Sequence, residues 1–192
     1  LWVRHVPPCD TRGVNARPAG AADDAGRFDL PLDRIEEAAA FIAGKVERTP
    51  VLASSTAAGV VAAATGVRIG DGRLYAKAEH LQRTGSYKVR GATVRIAGLS
   101  AAERAAGVIA ISAGNHAQAV AVAAGLLGVH AVVVMPATAV RSKVDACRGY
   151  GAEVILEGED TAEAWAAMER IGAERGLTFV HPFAHLATMA GQ

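Results

Sequence analysis

The segment Gln82-Arg83-Thr84-Gly85-Ser86-Tyr87-Lys88-Val89-Arg90-Gly91-Ala92 joins a glycine-serine turn directly to a helical run. Lys88 falls in the first turn of that helix. A helix N-terminus carries partial positive charge, and this disfavours an ammonium, as burial does. The neutral amine is the form that imine formation with an aldehyde needs. A solvated helix lysine would show the same local pattern, so both readings stay open on these residues alone.

A second segment, Ser112-Ala113-Gly114-Asn115-His116-Ala117-Gln118, lies where an apolar strand ends and a helix begins. Ligands of open α/β sheets bind at that edge. Unpaired backbone N–H groups there suit a carboxylate or a phosphate. Asn115 adds an amide able to bond a polar ring substituent. The plainer alternative is a strand-to-helix turn capped by Asn115.

Other chemistries lack their parts. Neither G-x-x-x-x-G-K-[ST] nor G-x-G-x-x-G occurs, and Gly70-Asp71-Gly72 precedes a strand instead of following one. The six histidines show no H-E-x-x-H spacing, and no G-x-S-x-G elbow is present. Cys9 and Cys147 have no metal-ligand spacing, so no metal is expected. A net charge of +1 gives no basic patch for nucleic acid or an anionic membrane. No apolar run approaches the roughly 18 residues of a membrane span. Without a disulfide framework or a signal-like stretch, a cytoplasmic enzyme is the default expectation.

The elements that must position these segments follow from hydrophobic period. The chain has 192 residues, 51% of them hydrophobic, enough for a sizeable core. Ile35, Ala38, Ala39 and Ile42 make a helical stripe, with Thr49-Pro50 expected to end that helix. Val51–Ser54 and Leu74–Glu79 read as extended. Four further apolar runs, Gly107–Ser112, Val129–Met135, Ala152–Glu157 and Thr178–His181, alternate with helical stretches at Asn115–Leu127, Ser142–Tyr150 and Asp160–Arg175. The last of these is read as burying Trp165, Met168, Ile171 and Gly172. Short, wholly apolar strands between helices predict right-handed crossovers and a parallel sheet covered on both faces. Residues 1–29, rich in Pro, Gly and charge, are expected to be a disordered leader.

In combination, Arg83–Ala92 followed by Ser112–Gln118 resembles the fold-type-II pyridoxal-phosphate enzymes. More narrowly it is similar to the threonine (serine) dehydratases and the related serine racemases. The likeness continues through Thr49-Pro50-Val51, Val133-Val134-Met135-Pro136, Ser142-Lys143, Tyr150-Gly151-Ala152-Glu153-Val154, His181-Pro182-Phe183 and Ala190-Gly191-Gln192. It covers roughly residues 30 to 192.

That resemblance implies pyridoxal 5'-phosphate carried on Lys88. Tyr87 would pack by it where relatives mostly have Phe, and Asn115 would bond its phenolic oxygen. Ser86, Ser112, Gly114 and His116 would line the substrate site, with the substrate carboxylate held on backbone amides. The implied reaction is dehydration and deamination of L-threonine, and of L-serine, to a 2-oxo acid and ammonia, within amino-acid metabolism such as isoleucine biosynthesis. Lys88 would move the α-proton. Arg83, Thr84 and Gln118 match positions that bind a nucleotide effector in some catabolic relatives. The implied fold is a three-layer α/β parallel open sheet with its C-terminal part missing. Residues 30–106 and 184–192 would belong to a large domain and 107–183 to a small α/β domain. A homo-oligomer is implied for the full-length form.

Two departures qualify the likeness. Ala113 stands where the racemases carry an acid-base serine, which ranks dehydration above racemisation. Ala184-His185 stand where relatives mostly have acidic residues. The family's glycine-rich phosphate loop, metal site and partner for the pyridine nitrogen are expected beyond Gln192. This chain alone is therefore expected to bind cofactor weakly and turn over little. The alternatives are a cysteine-synthase-like β-elimination or β-replacement enzyme, a serine racemase, or a non-catalytic remnant serving as an α/β binding module.

Overall fold

Four of the apolar runs become a parallel sheet. The computed structural model describes residues 30–192, so the leader expected at 1–29 lies outside the described residues. Strands β3 (Val108–Ile111), β4 (Ala131–Met135), β5 (Glu153–Leu156) and β6 (Thr178–Phe179) lie in the order β5-β4-β3-β6. All three pairings are parallel, with Val108 opposite both Ala131 and Thr178, and Val132 opposite Glu153. Helices α5 (Asn115–Leu127) and α6 (Arg141–Gly149) carry the chain from β3 to β4 to β5. Helix α7 (Thr161–Arg175) returns it to the far side of β3.

Crossovers of one hand that run in opposite directions must cover opposite faces. The packing shows this. Val108, Ala110, Ala131, Val133 and Met135 share a buried cluster with Ala117, Val120 and Ala124 of α5 and Val144 and Cys147 of α6. Ile109, Ile111, Val132 and Val134 face Ala164, Ala167, Met168 and Ile171 of α7. Both faces of β3 and β4 are therefore covered, as their unbroken apolar sequence predicts. The stripe on α7 differs from the one expected. Trp165 is half exposed and meets Phe179 edge-on at 5.5 Å, while Ala164 and Ala167 take the buried positions.

The preceding residues build a second layer. Helix α1 (Leu32–Ile42) ends well before Thr49-Pro50, at a turn where Gly44 has φ +74°. Proline is not the terminator here. Strands β1 (Val51–Ser54) and β2 (Leu74–Lys77) pair antiparallel around α2 (Ser55–Thr65), and a 3-10 turn follows at Glu79–Leu81. Helix α3 (Lys88–Ala97) packs between α5 and α8 (Leu186–Gly191), with α4 (Ala101–Ala106) after it. Val89 and Ile96 of α3 are fully buried. Burial of such side chains stabilises by about 1.5–3 kcal/mol each. Helices α3 and α8 cross at two glycines: a Cβ on Gly191 would lie 2.8 Å from the Arg90 carbonyl oxygen and from Gly91 Cα.

Parallel strands send their carboxyl ends to one edge. The loop after β3 and the loop after the neighbouring β6 therefore emerge side by side, next to the start of α3. That geometry makes the site.

Candidate active site

The turn before α3 requires glycine. Gly85 adopts φ +68° and its N–H reaches Gln82 O at 2.8 Å. A Cβ disfavours that left-handed region. The turn ends at Ser86, which is buried and whose hydroxyl accepts from Lys88 N at 3.4 Å. Lys88 is the first residue of α3. Its Nζ donates to Pro182 O at 2.8 Å and lies 3.4 Å from Gln192 Oε1. Gln192 Nε2 donates to the same Pro182 oxygen at 3.0 Å. The rings of Tyr87 and Phe183 stand 4.9 and 6.0 Å from the amine.

The loop after β3 is shaped by Ser112, whose Oγ accepts from Gly114 N at 3.0 Å. Helix α5 then starts at Asn115 with no side-chain cap. Its first N–H groups, which have no partner within the helix, are left for a ligand or solvent. The Asn115 side chain is exposed and makes no hydrogen bond among the described residues. His116 is buried, and its Nε2 meets Val180 O at 2.8 Å. A carbonyl only accepts, so Nε2 carries the proton and donates. Nδ1 is then a bare acceptor, and it is buried without a partner. Burial pushes the His116 pKa down to about 4, and the Lys88 charge adds to this against the Val180 bond. The ring is neutral at neutral pH.

The loop after β6 joins these two halves, through Val180 O to His116 and through Pro182 O to Lys88. His181 holds the loop's shape. Its Nδ1 accepts from Phe183 N at 3.2 Å and Ala184 N at 2.8 Å. Its own pKa is lowered by burial and by Lys88. Of the residues singled out in the sequence, Ser86, Tyr87 and Lys88 sit on one side of this edge. Ser112, Gly114, Asn115 and His116 sit on the other. Arg83 is exposed and pairs with Glu47 at 3.4 Å, whereas Thr84 and Gln118 are buried. A nucleotide could reach those two only by opening the packing. Sequence reasoning assigned no role to Pro182, Phe183 or Gln192 at the amine. A backbone carbonyl has no sequence signal, and Gln192 meets Lys88 only because the two glycines let α8 approach α3. Among the described residues no His, Cys, Asp or Glu group is arranged to hold a metal ion.

A family model described as pyridoxal-phosphate dependent enzyme matches residues 42–192. The chain belongs to this family. Among pyridoxal-phosphate dependent enzymes it is 45% identical over 163 residues to the catabolic L-threonine dehydratase TdcB of Staphylococcus aureus (strain N315), covering 85% of this chain and 45% of that one. It is 46% identical over 163 residues to the L-threonine ammonia-lyase of Thermotoga maritima, covering 85% and 38%. The solved structure of maize serine racemase superposes with a TM-score of 0.74 at 35% identity, over 85% of this chain and 47% of that one. The chain thus spans less than half the length of these relatives. The expected fold-type-II α/β architecture with its parallel sheet is borne out.

Proposed function

We propose that this chain forms the lysine-bearing part of a pyridoxal-phosphate dependent ammonia-lyase that converts L-threonine, and L-serine, to a 2-oxo acid and ammonia. The observation that carries this reading is the placement of Lys88 Nζ at the shared carboxyl edge of β3 and β6, 2.8 Å from Pro182 O and facing the start of α5. The names of the relatives at 45% and 46% identity support the substrate class.

The residues present fit the cofactor. An amine lies 4.9 and 6.0 Å from two aromatic rings, which suits a flat heteroaromatic aldehyde. The uncapped start of α5 offers amide donors to an anionic oxygen. His116 Nδ1 is a buried acceptor still lacking a donor. When bound, pyridoxal phosphate supplies an aldehyde for amines and a ring that stabilises negative charge at a substrate α-carbon. Lys88 would hold it, Tyr87 would pack beside it, and Asn115 would bond a ring oxygen.

The protein's own part is placement and proton transfer. Backbone amides of the Ser112–His116 loop would orient the substrate carboxylate, with Ser86 and Gly114 lining the approach. Lys88 Nζ would take the proton from the substrate α-carbon. Neutral His116 keeps a second positive charge away from the Lys88 amine. The full-length protein would take an amino-acid substrate and assemble as a homo-oligomer, with 107–183 as its small lobe. The nucleotide-effector role of Arg83, Thr84 and Gln118 stays secondary, because two of the three are buried.

Racemisation is the second reading, favoured by the likeness to maize serine racemase. Ala113 offers no proton on the face opposite Lys88, which supports elimination instead. Assay of the full-length protein with L-threonine and L-serine tests this. The 2-oxo acid is the expected main product, and D-serine as the main product would overturn the reading.

A further inference from the structure

One carbonyl oxygen anchors both ends of the turn that carries Lys88. Glu47 O accepts from Gln82 Nε2 at 2.8 Å and from Arg90 Nη2 at 3.0 Å. Gln82 precedes Lys88 in the turn, and Arg90 follows it in the first turn of α3. The buried Gln82 amide also accepts from Glu47 N and from Arg83 N, each at 3.0 Å. It pairs with the Glu47 backbone as a neighbouring strand would.

Arg90 adds a fork. Its Nε and Nη2 donate to the two Glu79 carboxylate oxygens at 2.9 and 2.8 Å. Thr49 Oγ1 donates to the same carboxylate at 2.5 Å. The two charged side chains are only 15% and 17% exposed. Arg90 and Thr49 hold the Glu79 carboxyl below its ordinary range, against the cost of burial. A bidentate pair fixes direction as well as distance, which lysine in place of arginine cannot do.

We infer that Glu79, Gln82 and Arg90 are positioning residues that hold the Lys88 turn in register with the loop after β6. This rests on the proposed role of Lys88. Release of either end lets the turn swing, and Nζ moves relative to Pro182 O and the start of α5. Displacements on the order of 1 Å cost up to about a hundredfold in rate for positioned groups.

The test uses Arg90→Lys and Gln82→Met, with Ser100→Ala as a control that removes the cap of α4 outside the brace. Each substitution is made in the full-length protein, which is treated with pyridoxal phosphate, reduced with borohydride over time, digested and read by mass spectrometry. Labelling at Lys88 is expected to slow by about tenfold or more in both brace variants. Lys45 and Lys143 in the same samples are expected to label as in the wild type, and Ser100→Ala to leave Lys88 within about twofold. Amide hydrogen exchange, which needs no cofactor, is expected to quicken across 83–90 in both brace variants and stay unchanged in α7. Wild-type labelling and exchange in both variants would overturn the inference, as would an equal loss in Ser100→Ala. If the wild type leaves Lys88 unlabelled while exchange still responds, the proposed function fails and the brace stands. If Arg90→Lys does not fold, Gln82→Met alone decides.

Discussion

The amine of Lys88 and the carbonyl oxygen of Pro182 lie 2.8 Å apart across 94 residues of sequence. The contact follows from topology. Strand β6 adds beside β3 only after α7 has carried the chain back across the sheet, and this sets the loop after β6 against the start of α3. The candidate site is therefore a product of one reversal in strand order.

His116 makes stability depend on acid. Its pKa falls from 6.5 to about 4 on folding, through burial. The unfolded chain takes up a proton below pH 6.5 that the folded chain refuses until about pH 4. Stability is full above that window and is lost as pH falls through it, by about 3 kcal/mol for this group. Urea unfolding at a series of pH values should show the decline. His116→Gln, which keeps a donor for Val180 O, should flatten it. Part of the slope should remain, because burial lowers His185 to about 4 as well. An unchanged slope in His116→Gln would remove His116 from the account.

Two glycines should answer oppositely to alanine. Gly191→Ala places a methyl 2.8 Å from Arg90 O, so α8 must lift from α3. A loss of about 1–3 kcal/mol is expected in thermal or urea unfolding. Gly59, inside α2 with nothing within 4 Å, should gain about 0.5–1 kcal/mol on the same change. A destabilised Gly59→Ala would mean that α2 packs differently.

Ala113→Ser should open a second reaction. The resemblance to the racemases implies that a hydroxyl at that loop position would deliver a proton to the face opposite Lys88. Chiral chromatography of products from L-serine should then find D-serine that the wild type does not make. No D-serine would show that position 113 does not face the substrate α-carbon.

Much of this was legible in the sequence. The wholly apolar runs of β3 and β4 declared strands buried on both faces, and Asn115–Leu127 was read with the ends it has. Lys88 was placed in the first turn of its helix by the glycine-serine turn before it, and the helix begins at Lys88 itself; its chemical role was not legible from those residues alone. Other features carried no periodic signal. Helix α2 is nearly all small residues, so no stripe marks it. Helix α4 has its capping box in Ser100 and Glu103 but is too short to show a face. Trp165 was read into the α7 stripe by its helical spacing from Met168, Ile171 and Gly172; Met168 and Ile171 are buried there, but Ala164 and Ala167 fill the remaining space against the sheet. At the site, the Pro182 carbonyl and the Glu47 carbonyl escape any motif, since every residue has a carbonyl and only the fold chooses which is used.

Attachment of the cofactor is the most direct test of the central claim. The full-length protein is equilibrated with pyridoxal phosphate, reduced with borohydride, and each lysine peptide is quantified by mass spectrometry alongside Lys88→Arg. The account predicts one dominant pyridoxyl group on Lys88 in the wild type and its disappearance in Lys88→Arg. Labelling spread evenly over Lys45, Lys77, Lys88 and Lys143, or an undiminished total in Lys88→Arg, would contradict it.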